Sequence, residues 1–359
     1  MNRSRIALVE LLQPASSPTS RPPCFLALHS EEGTVGFGEA PEAPQEELIE
    51  AVEALAPILL SRSALDREAL WHTLSEATED WEDAPALAAG MVAAADTAAC
   101  DLAARSLSVP CHVLLGGQTR SRLELCVDCG SASDEVAIQA GRACLDEGVR
   151  TFAFHLDPED PSVVDRLRRV RRLLGPEALV GVRLSAPAAS PEAAKALGLE
   201  LDRADPYWIE GLLADGQWNE LAQVRNAIAS PTAAGSQTIG LRRFSRALEA
   251  GCADALTPAL SLCAGPTGAL KLADLTHLRG IRMALWSGGT AVSALAAAHV
   301  SWARPHLSPL CLPLAAYVAL RTTLPDSTAD GFLVPPEASG SGLPDAWAEG
   351  LEPVVVFPA

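Results

Sequence analysis

The chain has 359 residues, 48% of them apolar, and carries 27 basic against 45 acidic groups for a formal charge of -18. That length exceeds one ordinary domain and suits a barrel of roughly 200 to 250 residues with a smaller companion. So negative a chain repels nucleic acid and anionic membranes, and its longest uninterrupted apolar stretch falls short of the ~18 residues a span needs, so neither partner is expected.

At the amino terminus Arg3 and Arg5 precede an apolar run broken by Glu10 and Pro14, which reads as a strand rather than a signal peptide and sets a cytoplasmic expectation. Residues 5–12, 24–29 and 34–39 alternate as three antiparallel strands, with Ser30-Glu31-Glu32-Gly33 as the turn between the last two. Residues 14–23, rich in Ser and Pro, form a loop. Helical patterns follow at 45–60, 66–77 and 86–107; in the last, Met91, Ala95, Ala98, Leu102 and Ala103 recur on one face. Residues 1–117 are therefore an α+β cap.

From 123 to 303 a short apolar run is followed seven times by a helix-length stretch; the runs are 123–130, 151–156, 179–185, 207–212, 232–236, 253–260 and 281–286. Continuous apolar strands between helices indicate a parallel sheet covered on both faces, and seven units favour a closed α/β barrel. Residues 305–312 supply the eighth barrel segment, so the barrel domain spans 118–329 and the tail 330–359 returns to the cap. In such a barrel the reacting groups lie at the carboxyl ends of the strands.

Nine scattered cysteines indicate reduced, buried thiols rather than a disulfide framework. Cys126 and Cys129 form a CxxC, but three residues apart on a strand they point to opposite faces. Five arginines, Arg166, Arg168, Arg169, Arg171 and Arg172, interleave with Val163, Leu167, Val170 and Leu174 as the wet face of a helix.

The run Ala95-Asp96-Thr97-Ala98-Ala99-Cys100-Asp101-Leu102-Ala103-Ala104-Arg105, the segment Val109-Pro110-Cys111-His112-Val113-Leu114-Leu115-Gly116-Gly117 and the closing Asp330-Gly331-Phe332-Leu333-Val334-Pro335 resemble the enolase superfamily, in its mandelate racemase and muconate lactonizing branch. The resemblance implies an α+β cap over a modified (β/α)7β barrel, one Mg2+ on three carboxylates, removal of a proton beside a substrate carboxylate, and a homo-oligomer. It also implies which positions to inspect. Where the family has a Lys-x-Lys pair this chain has Ala153 and His155; where it has its first metal-binding Asp, this chain has Arg183. Glu210 is the only ligand position retained, the Gly-Glu of the fifth strand becomes Gly235-Ser236, and the Asp and His of the sixth and seventh become Ala259 and Trp286.

One carboxylate, a serine and an adjacent arginine do not supply what Mg2+ requires, so binding is expected to be weak or absent, with an Arg183–Glu210 ion pair in its place. His155, Arg183 and Glu210 are the candidate catalytic groups; Asp128, Cys129, Ser185, Ser236, Gln237, Trp286 and Ser287 are candidates for the pocket. The turn Ser287-Gly288-Gly289-Thr290 is either an anion-binding nest or a plain glycine turn. Two functions follow. One is a protein that has lost Mg2+-dependent proton abstraction and binds a small carboxylate or other anion, or acts without catalysis. The other is a metal-independent isomerase, racemase or dehydratase with Arg183 as electrophile and His155 as base. Specificity is expected from loops at 14–23 and 79–83.

Overall fold

The computed structural model describes residues 4–16, 21–132 and 134–359; residues 1–3 of the amino-terminal run and 17–20 of the 14–23 loop lie outside them. The chain opens with strands β1 (Ile6–Pro14), β2 (Phe25–Ser30) and β3 (Val35–Glu39). Helices α1 (Gln45–Leu59), α2 (Arg67–Ala77) and α3 (Pro85–Ser106) follow. The β2–β3 turn closes as its sequence demands, with Gly33 at φ 83° donating to the Ser30 carbonyl at 3.0 Å.

Helix α3 is the spine of the cap. Gly36 and Gly38 face it, and a Cβ on Gly38 would lie 1.9 Å from the Ala94 carbonyl, so glycine on the strand and alanine on the helix permit a backbone approach no larger pair allows. By length and composition α3 could cross a bilayer, although no uninterrupted apolar run is that long; 89% of its most apolar window is buried, as befits the central helix of a core.

A short helix α4 (Cys111–Leu114) leads into the barrel. Its strands are β4 (Leu123–Ser131), β5 (Thr151–Leu156), β6 (Leu179–Leu184), β7 (Ile209–Glu210), β8 (Thr232–Ala234), β9 (Ala255–Leu256), β10 (Arg282–Met283) and β11 (Leu310–Pro313). The helices between them are α5 (Glu135–Asp146), α6 (Val163–Leu174), α7 (Pro191–Leu201), α8 (Trp218–Arg225), α9 (Leu241–Ala250), α10 (Gly265–Leu278) and α11 (Ala291–Trp302). Strands β4 to β10 pair in parallel sequence order, and β11 pairs with β4. Bridges Met283–Leu307 and Trp286–Cys311 close the ring, giving the (β/α)7β order.

The later strands are shorter than their apolar runs. Runs 207–212, 253–260 and 281–286 keep only two ladder residues each, and their ends are joined by isolated contacts instead, such as the Ala259–Trp286 bridge and the Leu260 amide donating to the Trp286 carbonyl at 2.9 Å. After α12 (Leu314–Thr323), strands β12 (Thr328–Ala329) and β13 (Phe332–Leu333) pair antiparallel, β13 on β4, and β14 (Leu351–Pro358) runs antiparallel to β1. All nine cysteines are free and buried. On α6, four of the five arginines meet carboxylates: Arg166 with Asp160, Arg168 with Asp165, Arg169 with Glu135 and Arg171 with Asp205.

Candidate functional site

Parallel pairing puts His155 beside Arg183 and Arg183 beside Glu210, three side chains in one row across β5, β6 and β7 at the barrel's mouth. The row beneath is Asp128, Ala153 and Gly181. Because those last two carry almost no side chain, the Arg183 guanidinium reaches across them to Asp128.

Arg183 is the hub. Its Nη1 donates to Asp128 Oδ2 at 2.6 Å, and its Nε lies 3.2 Å from Glu210 Oε2. That second approach is ionic rather than a directed hydrogen bond, since Oε2 is buried with no hydrogen-bond partner among the described residues. Glu210 Oε1 accepts from Thr257 Oγ1 at 2.5 Å. Trp286 lies flat on the cation, with the guanidinium carbon 4.4 Å from the ring centroid. His155 Nε2 sits 2.9 Å from Asp128 Oδ2, and Asp128 Oδ1 accepts the Gly130 amide at 3.0 Å.

Burial pushes the Asp128 carboxyl up. The His155 hydrogen bond and charge, Arg183 and the Gly130 amide outweigh it and hold the group below the usual carboxylate range. For Arg183 burial works against the charge, and Glu210 and Asp128 overcome it, so the guanidinium is more firmly protonated than a free one. The cluster is closed except at His155, whose side chain is 40% exposed against 20% for Arg183.

The remaining pocket candidates lie elsewhere. Cys129 faces away from the mouth, its sulfur near Gly141 of α5, where burial pushes its thiol up; Cys126 faces inward with Trp286, as alternation requires. Ser185 donates to the Leu156 carbonyl at 3.3 Å and Ser287 to the Gly288 carbonyl at 2.9 Å, so both satisfy local backbone rather than a pocket. Ser236 and Gln237 line a separate cleft of about 540 Å3 between barrel and cap. Its cap wall is built from Arg21, the segment Glu39 to Pro44, Glu47 and one side of α3 at Ala86, Leu87, Ala93 and Thr97, and residues 79–83 take no part.

A residue that sequence reasoning missed decides the glycine turn. Glu39, at the end of β3, accepts from the amides of Gly289 at 3.2 Å and Thr290 at 3.3 Å and from the Thr290 hydroxyl. The amino end of α11 is thus already occupied, by the cap's own carboxyl group. Burial raises the Glu39 carboxyl despite these donors. Asp96 of α3 does the same for α10, accepting from the Thr267 amide at 2.6 Å and its hydroxyl at 2.8 Å. A carboxylate 250 positions from its partner leaves no local pattern; its only signal was an acid at a strand end facing a Gly-Gly-Thr turn.

An α+β cap stitched to the carboxyl end of a (β/α)7β barrel defines an enolase-type protein. The chain belongs to the mandelate racemase and muconate lactonizing enzyme family: residues 16–116 match the family's N-terminal domain, and residues 135–344 match the enolase C-terminal domain-like model. It is 28% identical over 274 residues to a D-galactonate dehydratase of Ralstonia nicotianae, covering 72% of this chain and 70% of that one. It is 25% identical to a D-xylonate dehydratase of Haloferax volcanii, covering 79% and 73%. Among solved structures, a mandelate racemase/muconate lactonizing enzyme-like protein of Rubrobacter xylanophilus superposes with a TM-score of 0.85 at 21% identity over 97% of each chain. A family protein of Paracoccus denitrificans, solved with magnesium, has a TM-score of 0.83 at 25% identity over 94% of each.

Proposed function

We propose that this family member neutralises its barrel mouth with Arg183 in place of magnesium, does not abstract an α-proton by a metal-dependent route, and binds a small polar carboxylate. The observation that carries the reading is the Arg183 guanidinium between Asp128 and Glu210 with Trp286 on its face. A hard divalent ion needs several oxygen ligands converging at about 2.1 Å. Here the two nearest carboxylates converge on a cation already, and Ser236 lines the neighbouring cleft. The residues do not fit the ion. The dehydratases named above act on sugar acids by their names, which supports a hydroxylated carboxylate as the ligand class. Because Glu39 fills the α11 terminus, such a ligand's charge would be met by His155 and the exposed edge of Arg183.

A second reading, metal-free catalysis, draws on one feature. His155 is oriented by Asp128 and remains exposed, which is how a general base is held. It requires Arg183 to release Glu210 for the substrate.

Calorimetric titration with Mg2+ and incubation with D-galactonate and D-xylonate in D2O test both. The first reading expects no tight Mg2+ binding, no dehydration and no deuterium at the α-carbon. It also expects a measurable Mg2+ affinity once Arg183→Asp and Ser236→Glu are combined. Tight binding of Mg2+ by the unaltered protein would overturn it; deuterium incorporation without metal, lost in His155→Gln, would establish the second.

A further inference from the structure

Barrels of this kind are ordinarily filled by layers of bulky branched side chains. Here the inward positions are small over most of the depth: Cys126, Ala153, Gly181, Ala284 and Cys311. Two indoles compensate. Trp286 fills the mouth, and Trp208 lies against Gly181, where a Cβ would come within 2.2 Å of its ring. Trp286 does not reach the floor, and between the amino-terminal ends of β6 to β11, with Trp208 as one wall, a cavity of about 680 Å3 remains, within the range of small-molecule sites.

Its chemistry is specific. Tyr207 and Trp208, edge to face with ring centroids 5.5 Å apart, line it together with Met283 and Pro309. Three arginines stand at its rim. Arg171 is 3.0 Å from Asp205 and Arg225 is 2.6 Å from Asp254, so each of these is neutralised in place. Arg282 is exposed and has no carboxylate or hydrogen-bond partner among the described residues. By strand alternation it shares the inward face of Ala284 and Trp286. The result is an apolar, aromatic-walled recess with a single uncompensated cation at its lip.

We propose that the barrel floor is a second binding site, at the opposite end from the mouth, for a planar aromatic monocarboxylate of one or two rings. The ring lies against Trp208, Ala284 and Pro309, and the carboxylate pairs with Arg282. One guanidinium balances one charge and offers a planar fork to a carboxylate. A dianion would bring an unpaired charge into the recess, and a neutral ring would leave Arg282 without an added partner.

The test uses 2-naphthoate with the full chain, read by calorimetry and tryptophan fluorescence, and 2-naphthamide as the uncharged counterpart. Saturable naphthoate binding is expected, with the amide at least about tenfold weaker. Arg282→Ala, an exposed substitution that leaves the core intact, is expected to weaken naphthoate by about tenfold or more, and Arg282→Lys by less. Ala284→Leu, which pushes a larger side chain into the recess, is expected to weaken naphthoate by about tenfold or more. Undiminished binding by Arg282→Ala or Ala284→Leu, or no saturable binding by the unaltered protein up to the probe's solubility, overturns the proposal. None of these outcomes bears on the magnesium-free reading of the mouth, because the two sites share no charged side chain.

Discussion

Taking away the Arg183 guanidinium would leave Asp128 and Glu210 facing each other across two small residues with no cation between them. Leaving one half of a buried ion pair alone costs about 3 to 5 kcal/mol, so Arg183→Met is expected to lose about 3 kcal/mol at pH 7. The loss should shrink near pH 4.5, where the stranded carboxylates can take up a proton in the variant. In the unaltered protein Asp128 acts with the opposite sense. Its pKa is depressed, so its contribution is present above the unfolded value of about 3.9 and disappears as the pH falls through the folded one. Urea midpoints of both proteins at pH 7 and 4.5 measure the difference, and equal midpoints at pH 7 would show that the hub carries no stability.

Between elements, the contact that matters most is the one Glu39 makes with the amino end of α11. Terminal carboxylate contacts of this kind are worth about 0.5 to 2 kcal/mol, so Glu39→Ala is expected to cost about 1 kcal/mol and to speed amide exchange at Gly289 and Thr290. Glu39→Gln should cost less, because burial already disfavours the charged form. Hydrogen exchange followed by mass spectrometry reads both.

The same contact marks where sequence reasoning stops. His155, Arg183 and Glu210 are legible as neighbours because parallel strands in register bring successive strand ends together. Asp128 is harder to place, since it pairs with Ala153 one row below His155 and reaches the hub only because Ala153 and Gly181 leave room, while the irregularity after it brings Ser131 rather than Gly130 beside His155. Ser236 and Gln237 follow the end of β8, and with Ala259 and Gly288 they line the barrel side of the cleft beneath the cap, which strand-end counting alone does not separate from the Arg183 cluster. Glu39 comes from another domain and no period points to it. The order of cap, barrel and returning tail is readable throughout because it rests on repeated apolar runs rather than on any single side chain.

For the molecule as a whole, acid is expected to act through the seam between cap and barrel. His299 of α11 accepts the His112 amide on Nδ1 at 3.1 Å, so its other nitrogen carries the proton that bonds the Ser341 carbonyl at 3.1 Å. That tautomer is neutral, and burial lowers its pKa to about 3. Below about pH 6.5 the unfolded chain binds a proton that the folded one refuses, so stability falls with pH, by about 3 kcal/mol on reaching pH 4. His299→Gln is expected to flatten that slope, and denaturant melts from pH 8 to pH 4 would show it; an unchanged slope assigns the acid sensitivity elsewhere.

The nine interior thiols carry a further consequence. While the molecule stays shut they are chemically silent, because no oxidant or alkylating agent reaches them and burial suppresses the thiolate wherever it raises the pKa. Once opened, a single chain presents all nine together, and intermolecular cross-linking competes with refolding. Heat inactivation in air should therefore be a one-way event that a reductant makes reversible.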